Sequence, residues 1–513
     1  MTSYILHGLL LLHGLAACGL FLYGMNCYVM LFLHRRARHK VLQHETAVQQ
    51  AWQASPPPQY PRVTVQLPIY NERYVLQRLV EAVARLCYPR AQLEIQILDD
   101  STDETTAMAM PRVEHYRHLG FDITLQHRPH RHGYKAGALA EGLTRARGEF
   151  IAIFDADFVP APDFLLRTLP FFQDPAIAMV QSRWGHLNRA YSRLTLVQAF
   201  GIDGHFGGEQ TARCGAGLFL NFNGSGGVWR RQAIEDAGGW QADTLTEDLD
   251  LSYRAQWRGW RMQFVPSVVC PAERPVQMSG VKSQQHRWAT GSIQTAKKLL
   301  PHVLQADLPR FTKCQAILHL TNYLAHPLML WTALMLPWLP QDTPGSVRHT
   351  PLLTTVSIVG ATVGPASLYL YAQRQLSPDW LHRLRSFPYL LIFGTGIALS
   401  NTKAILEALG NVRGAFVRTP KFHIEHPADT WVGKHYRAAF SWLSLGELGL
   451  AVYSGYGMYR AVHQGAYLLL PFLLLYTLGF AAVAGLSLYE GFQAVCLHVP
   501  SRTHMRVTAD MHK

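Results

Sequence analysis

The sequence predicts an α/β domain with a Rossmann-like parallel sheet, lying in the cytosol and joined to an α-helical transmembrane bundle. Three observations carry this prediction. Residues 41–312 hold charges at ordinary density, and strand-like runs alternate there with helix-like ones. Residues 4–33 contain no Lys, Arg, Asp or Glu and exceed the about 20 residues that a spanning helix needs. Most of 315–495 is equally apolar, so a mean hydropathy near zero averages two regimes in one chain of 513 residues.

Taken in order, 4–33 reads as a first span and not as a signal peptide. The run is too long, no basic stretch precedes it, and no small-residue cleavage pattern follows it. Arg35, Arg36, Arg38 and Lys40 come directly after, which places that end in the cytosol. Residues 41–53 predict a short polar helix, and Ser55-Pro56-Pro57-Pro58 stops it. Strands are predicted at 63–67, 94–98, 123–125 and 150–154, with helices over 72–86, from Asp103 onward, and over 135–147. Such alternation implies parallel strands joined by crossover helices, with ligands at the carboxyl ends of the strands. Asp99-Asp100 and Asp155-Ala156-Asp157 both fall at such ends and are expected to share one pocket.

The net charge of +13 raises the question of nucleic acid, but no basic stripe with interleaved aromatics is present. Many of the cations sit at the edges of apolar runs instead, where a lipid bilayer is the partner. Seven cysteines, at 18, 27, 87, 214, 270, 314 and 496, form no CxxC and no paired spacing. A disulfide framework and a structural zinc site are therefore not expected.

Further spans are predicted near 315–337, 351–373, 438–458 and 466–489. Segment 386–408 starts apolar and turns polar at Asn401, Lys403 and Glu407, so it is expected to lie along the interface. That choice keeps Arg413, Arg418, Lys421, Lys434 and Arg437 inside, together with Arg502, Arg506 and Lys513 of the tail. The expected topology has five spans, an outer N-terminus and an inner C-terminus. Glu447 lies within one apolar run, where an ionisable group normally faces a polar interior; it is expected to line or brace a channel, or to make a structural hydrogen bond.

Asp155 and Asp157 end a buried apolar strand, where alternating carboxylates suit a hard divalent ion such as Mg²⁺ or Mn²⁺. A solvated turn is the alternative for that triplet taken alone. Lys135 opens a helix after Gly133-Tyr134, a place that attracts phosphate. Asp248 follows Thr246-Glu247 and is the candidate general base for a hydroxyl, with Glu247 orienting a neighbour. The same residues also read as a helix start, and the two readings are compatible. Gln284 can bond sugar hydroxyls, Arg287 can hold a departing diphosphate, and Trp288 offers a face for a pyranose ring; an interfacial amphipathic helix with Trp288 as a membrane anchor is the alternative. Gln181-Ser182-Arg183-Trp184 imitates that motif one residue short and ahead of the base, so it is not assigned the same role.

Together the pieces resemble the family 2 glycosyltransferases of the cellulose-synthase-like superfamily, mannan-synthase branch. They are Leu67-Pro68-Ile69-Tyr70-Asn71-Glu72, Leu98-Asp99-Asp100-Ser101, Gly133-Tyr134-Lys135-Ala136-Gly137, Ile153-Phe154-Asp155-Ala156-Asp157, Phe222-Asn223-Gly224, Glu247-Asp248 and Gln284-Gln285-His286-Arg287-Trp288. The resemblance implies a GT-A fold and processive, inverting synthesis of a β-linked polysaccharide (mannan, glucan or glucomannan) that is passed across the membrane. It implies GDP-mannose or UDP-glucose as donor, a growing polysaccharide as acceptor, and Asp157 on the metal. Asp99, Asp100, Lys135, Asp155, Tyr70 and Glu72 would then bind the donor. Residues 416–421 resemble the gating loop of these synthases, with Thr419 and Lys421 over the donor.

The organisation expected is a first span in 1–40, a linker 41–61, a GT-A domain 62–272 and interfacial helices 273–312. A membrane region 313–495 follows, holding the interfacial helix 386–408 and the gating loop 415–423, and then a tail 496–513. A plasma or inner membrane is expected rather than the Golgi. A non-processive enzyme acting on a lipid acceptor is the alternative function, and a transporter or scaffold with a degenerate soluble domain is a third.

Overall fold

The computed structural model describes residues 2–339, 350–412, 417–434 and 441–496. Arg413, Phe416, Arg437, Arg502, Arg506 and Lys513 lie outside the described residues.

Seven strands form one sheet: β1 (Val63–Ile69), β2 (Leu93–Asp99), β3 (Asp122–His127), β4 (Phe150–Ile153), β5 (Ile177–His186), β6 (Gly227–Arg230) and β7 (Arg261–Ala272). Their order is β3-β2-β1-β4-β6-β5-β7. The first four run parallel, and β2 and β4 are buried at every position, β4 as an apolar run and β2 with its buried Glu94 accepting from Thr64 of β1. Ile69 is level with Asp99 and Gln66 with Ile153, so both acidic pairs emerge beside the end of β1, as their positions predicted. The wholly parallel sheet expected from the alternation is corrected beyond β4. There β6 runs antiparallel to both β4 and β5, entered from the turn 222–226 that ends the helical segment following β5.

Helices α1 (Thr2–Ala54), α2 (Leu76–Ala84), α3 (Thr105–His118) and α4 (Tyr134–Arg145) lie in the first third of the chain. Next come α5 (Arg193–Gly204), α6 (Glu247–Trp257) and α7 (Met278–Gln305), which carries Gln284, Arg287 and Trp288. The predicted polar helix 41–53 is not separate; it continues α1, which runs 53 residues because no Gly or Pro interrupts residues 33–54. At 1.5 Å per residue α1 is roughly 80 Å long, far more than a bilayer's hydrocarbon of about 30 Å. Its second half therefore extends against the sheet domain, where Glu45 meets Ser267 and Gln49 meets Arg167.

The apolar region holds α8 (Arg310–Leu320), α9 (Ala325–Met335), α10 (Thr350–Leu376), α11 (Phe387–Gly396), α12 (Ala398–Leu409), α13 (Leu443–His463) and α14 (Leu470–Cys496). The single span predicted at 315–337 is two short helices. Pro327 has no N–H for the carbonyl four residues back, so the helix restarts there. Segment 386–408 is also two helices, bent by 41° between Gly396 and Ala398. Among the described residues, 7–54 and 467–493 are each long and apolar enough to cross a membrane, and the bent pair would make a third if it is one span. Helices α1 and α10 touch backbone to backbone: a Cβ on Gly24 would stand 2.2 Å from the Gly360 carbonyl oxygen. Small residues that admit such an approach are how helices pack where lipid supplies no hydrophobic drive.

Candidate active site

A cavity opens at the carboxyl ends of β1, β2 and β4, closed on the other side by α6, α7 and residues 418–421. Its lining includes Tyr70, Glu72, Asp100, Lys135, Asp155, Asp157, Glu247, Asp248, Gln284, Arg287, Trp288, Thr419 and Lys421. Thirteen residues singled out in the sequence are thus brought to one place. Asp99 stands behind them, fully buried, accepting from the Ser101 N–H at 2.9 Å, Thr106 Oγ1 at 2.5 Å and His127 at 3.0 Å. Its neighbour Asp100 faces the cavity in a two-pronged pair with Arg128, at 2.7 and 2.6 Å. Arg131 lies 3.5 Å over the Tyr70 ring beside it.

The floor is electrostatically dense. Lys135 Nζ is 2.6 Å from Asp155 and 3.7 Å from Glu247, and it donates to the Gly224 carbonyl at 2.8 Å. Burial opposes the Lys135 charge, but Asp155 and Glu247 raise its pKa above the ordinary lysine value. Asp155 keeps a third of its side chain open to the cavity and is still pushed up by burial, against the pull of Lys135. Asp157 is held 2.6 Å from Lys421 Nζ; burial opposes its ionisation, and Lys421 overcomes it to leave the carboxyl below its usual range.

Asp248 occupies the first turn of α6, accepting from the Leu249 N–H at 2.8 Å, so the helix start is itself the mount for this carboxyl. Burial first, and then the neighbouring Glu247, push its carboxyl up to about 7. Ser252 on the same helix donates to the Asp248 carbonyl and accepts from the Phe222 N–H, which pins turn 222–226 against it. Gly224 has φ +84°, and a Cβ there would lie 2.8 Å from Asp248 Oδ2. Only glycine leaves that approach to the carboxylate open.

Residues 417–434 strap across the opening. Arg418 bonds the Asn71 carbonyl and reaches Glu72 at 3.4 Å. The Phe422 N–H donates to Glu273, and Arg78 bridges Glu273 and Glu425 at 2.9 Å each. Burial pushes Glu72 up to about 8 despite Arg418 and Lys421. A buried carboxyl near neutrality thus shares one cavity with Arg287, Trp288 and a cationic strap, an arrangement suited to group transfer.

Comparison with known proteins agrees. Residues 61–291 match the model of the glycosyltransferase like family 2. Glucomannan 4-beta-mannosyltransferase 1 of Oryza sativa subsp. japonica is 32% identical over 412 residues, covering 77% of this chain and 76% of the relative. This chain belongs to the family 2 glycosyltransferases that include the glucomannan 4-β-mannosyltransferases. Glucomannan 4-beta-mannosyltransferase 2 of Arabidopsis thaliana is 34% identical over 68% of this chain, but the match spans 65% of that relative's length. The mannosyltransferase PcManGT from Pyrobaculum calidifontis, solved in complex with GDP-Man and Mn²⁺, is 22% identical with a TM-score of 0.46, covering 76% of this chain and all of that one.

In this family member, Asp155 and Asp157 offer hard oxygen donors to a divalent ion. The Lys421 ammonium at 2.6 Å from Asp157 marks where a cation is welcome. Among the described residues no group of three or more His, Cys, Asp or Glu could hold a metal by itself. An ion there would share its coordination between these carboxylates and substrate phosphates, as Mg²⁺ commonly does. Sequence reasoning missed Arg131, Trp184 and Arg274, all lining the cavity. Gln181 and Trp184 of the imitating motif bond the Ser225 carbonyl and so shape turn 222–226, a different role from α7's motif.

Proposed function

We propose that the chain is a processive, inverting hexosyltransferase that builds a β-linked polysaccharide (mannan, glucan or glucomannan) from GDP-mannose or UDP-glucose. The carrying observation is Asp248, a carboxyl brought to about 7 and set against Gly224, between Lys135 and the Arg287–Trp288 wall. Asp248 takes the proton from the acceptor hydroxyl as that oxygen attacks the anomeric carbon and the bond from this carbon to the diphosphate oxygen breaks. Attack from the side opposite the diphosphate inverts the configuration. Trp288 supports the terminal sugar, Gln284 bonds its hydroxyls, and Glu247 holds Lys135 in place. Arg287 and Lys421 balance the negative charge of the departing diphosphate. Tyr70, Glu72, Asp99, Asp100, Asp155 and Thr419 shape the donor site. Mg²⁺ or Mn²⁺ on Asp157 and Asp155 would neutralise the diphosphate.

The proposal places the sheet domain in the cytosol, on a multi-pass protein of the plasma or inner membrane with five spans. The basic cluster Arg35, Arg36, Arg38 and Lys40 supports that orientation. The decisive experiment supplies membranes holding the protein with each labelled nucleotide sugar, then digests the product with linkage-specific glycanases. A long product cut by a β-mannanase or β-glucanase is expected. A lipid-linked product carrying one sugar would replace this reading with the lipid-acceptor enzyme.

A further inference from the structure

We propose that Arg274 is a positioning residue for the diphosphate of the donor, the domain-borne counterpart of Lys421 on the strap. The inference rests on the reading above and names a residue that neither the motifs nor that reading uses.

Arg274 follows β7, and its chain runs beside the metal-side carboxylate: the preceding Glu273 N–H donates to the Asp157 carbonyl at 3.1 Å. Asn188 grips its backbone from both sides, accepting from the Arg274 N–H at 2.8 Å and donating to its carbonyl at 2.9 Å. The side chain is 2% exposed and still lines the catalytic cavity. Its guanidinium lies 5.3 Å over the ring of Trp184, which is itself fixed by its bond to the Ser225 carbonyl. Stacking occupies the face of a guanidinium and leaves the N–H edge unsatisfied. Along that edge Nε and Nη2 are buried without a hydrogen-bond partner.

The carboxylates near Arg274 are engaged elsewhere. Asp157 is paired with Lys421. Asp203 accepts from His186 at 2.8 Å, from Gln373 at 3.0 Å and from Arg189. Arg274 makes no ion pair among the described residues. Burial draws its pKa down to about 10, with Asp157 and then Asp203 holding it up, so the charge persists at neutral pH. A buried cation with open donors is costly unless an anion completes it. The planar fork of a guanidinium fits phosphate oxygens two at a time. In this cavity, beside Asp157 and sharing a lining with Arg287 and Lys421, that anion is the diphosphate.

The test is calorimetric titration of the detergent-solubilised full chain with GDP, GMP, UDP and UMP in the presence of Mn²⁺. Arg274→Gln is expected to weaken the preferred nucleoside diphosphate by about 10- to 100-fold, the scale of a lost charge-assisted bond. The matching monophosphate should change by less than about threefold, and Arg274→Lys should restore part of the loss because its point charge lacks the fork. An equal loss for mono- and diphosphate would reduce Arg274 to a structural role and overturn the proposal, as would unchanged diphosphate affinity. Failure of the wild type to bind either diphosphate would overturn the proposed function as well. Wild-type binding with an unaffected Arg274→Gln would overturn this inference alone.

Discussion

Burial and then Glu247 push the Asp248 carboxyl up to about 7, and the base proposed above must be ionised to work. Turnover should therefore rise with pH through about 7, and Asp248→Asn should lose about 10²- to 10⁴-fold in rate while still binding nucleotide. Linkage gives an independent readout. The folded pKa lies above the unfolded value of about 3.9, so the protein holds this proton more tightly than the unfolded chain does. The associated stability is present below about 3.9 and is lost as pH rises toward 7. Asp248→Asn should accordingly melt higher than wild type at pH 8 and alike at pH 4, as differential scanning fluorimetry would show. Asp157→Ala should abolish the gain in donor affinity that Mn²⁺ brings, read by calorimetry with and without the ion. These carboxylates were legible because strand ends and helix starts are marked in sequence. Arg274 was not: its environment is made by Asn188, Trp184 and Asp157, distant in sequence, and a lone Arg after a strand carries no signal of burial.

At the scale of elements, the strap is held by charge rather than by apolar packing alone. Lys421 sits on Asp157, Arg418 on Glu72 and Asn71, and Arg78 ties Glu425 to the buried Glu273. Replacing Thr419 and Lys421 by Ala should slow elongation severely with a smaller effect on metal binding, measured as labelled sugar incorporated and as Mn²⁺ affinity. Arg78→Met removes the ionic partner of Glu273 and leaves the Phe422 N–H as its remaining bond, and hydrogen exchange should then speed up over 418–429 while β1 and β2 stay protected. The order of strands and helices through residue 154 was legible from periodicity, because short strand-like runs alternate there with helix-length ones. What periodicity did not show was where elements join or break. Helix α1 runs through its basic cluster, since Arg, His and Lys are tolerated in a helix where Gly or Pro would stop it. The antiparallel β6 was hidden because its partners β4 and β5 are distant in sequence and a strand's direction leaves no mark in its own residues.

Over the whole molecule, the motif helix α7 is one of the elements that couple the sheet domain to the apolar bundle. Its middle packs on α12 through Ala289, Ile293, Ala404 and Ile405, and its start is capped by Glu490 of α14, which accepts from the Met278 and Ser279 N–H groups. Between them Lys282 enters the bundle and pairs with the fully buried Glu447 of α13 at 2.6 Å, while also bonding Ser487. Glu447 thus braces α7 directly, and a role in lining a channel is a separate claim. The two roles predict different things. Glu447→Leu leaves Lys282 buried and uncompensated, which typically costs about 3–5 kcal/mol, so the variant should melt lower and yield less product. Adding Lys282→Met removes the stranded charge and should recover most of the stability, the coupling that a double-mutant cycle measures. If bracing is the whole role, the double variant should also regain wild-type product length in reconstituted vesicles. Recovered stability with product that stays short would show that the Glu447 carboxylate also acts on the polymer.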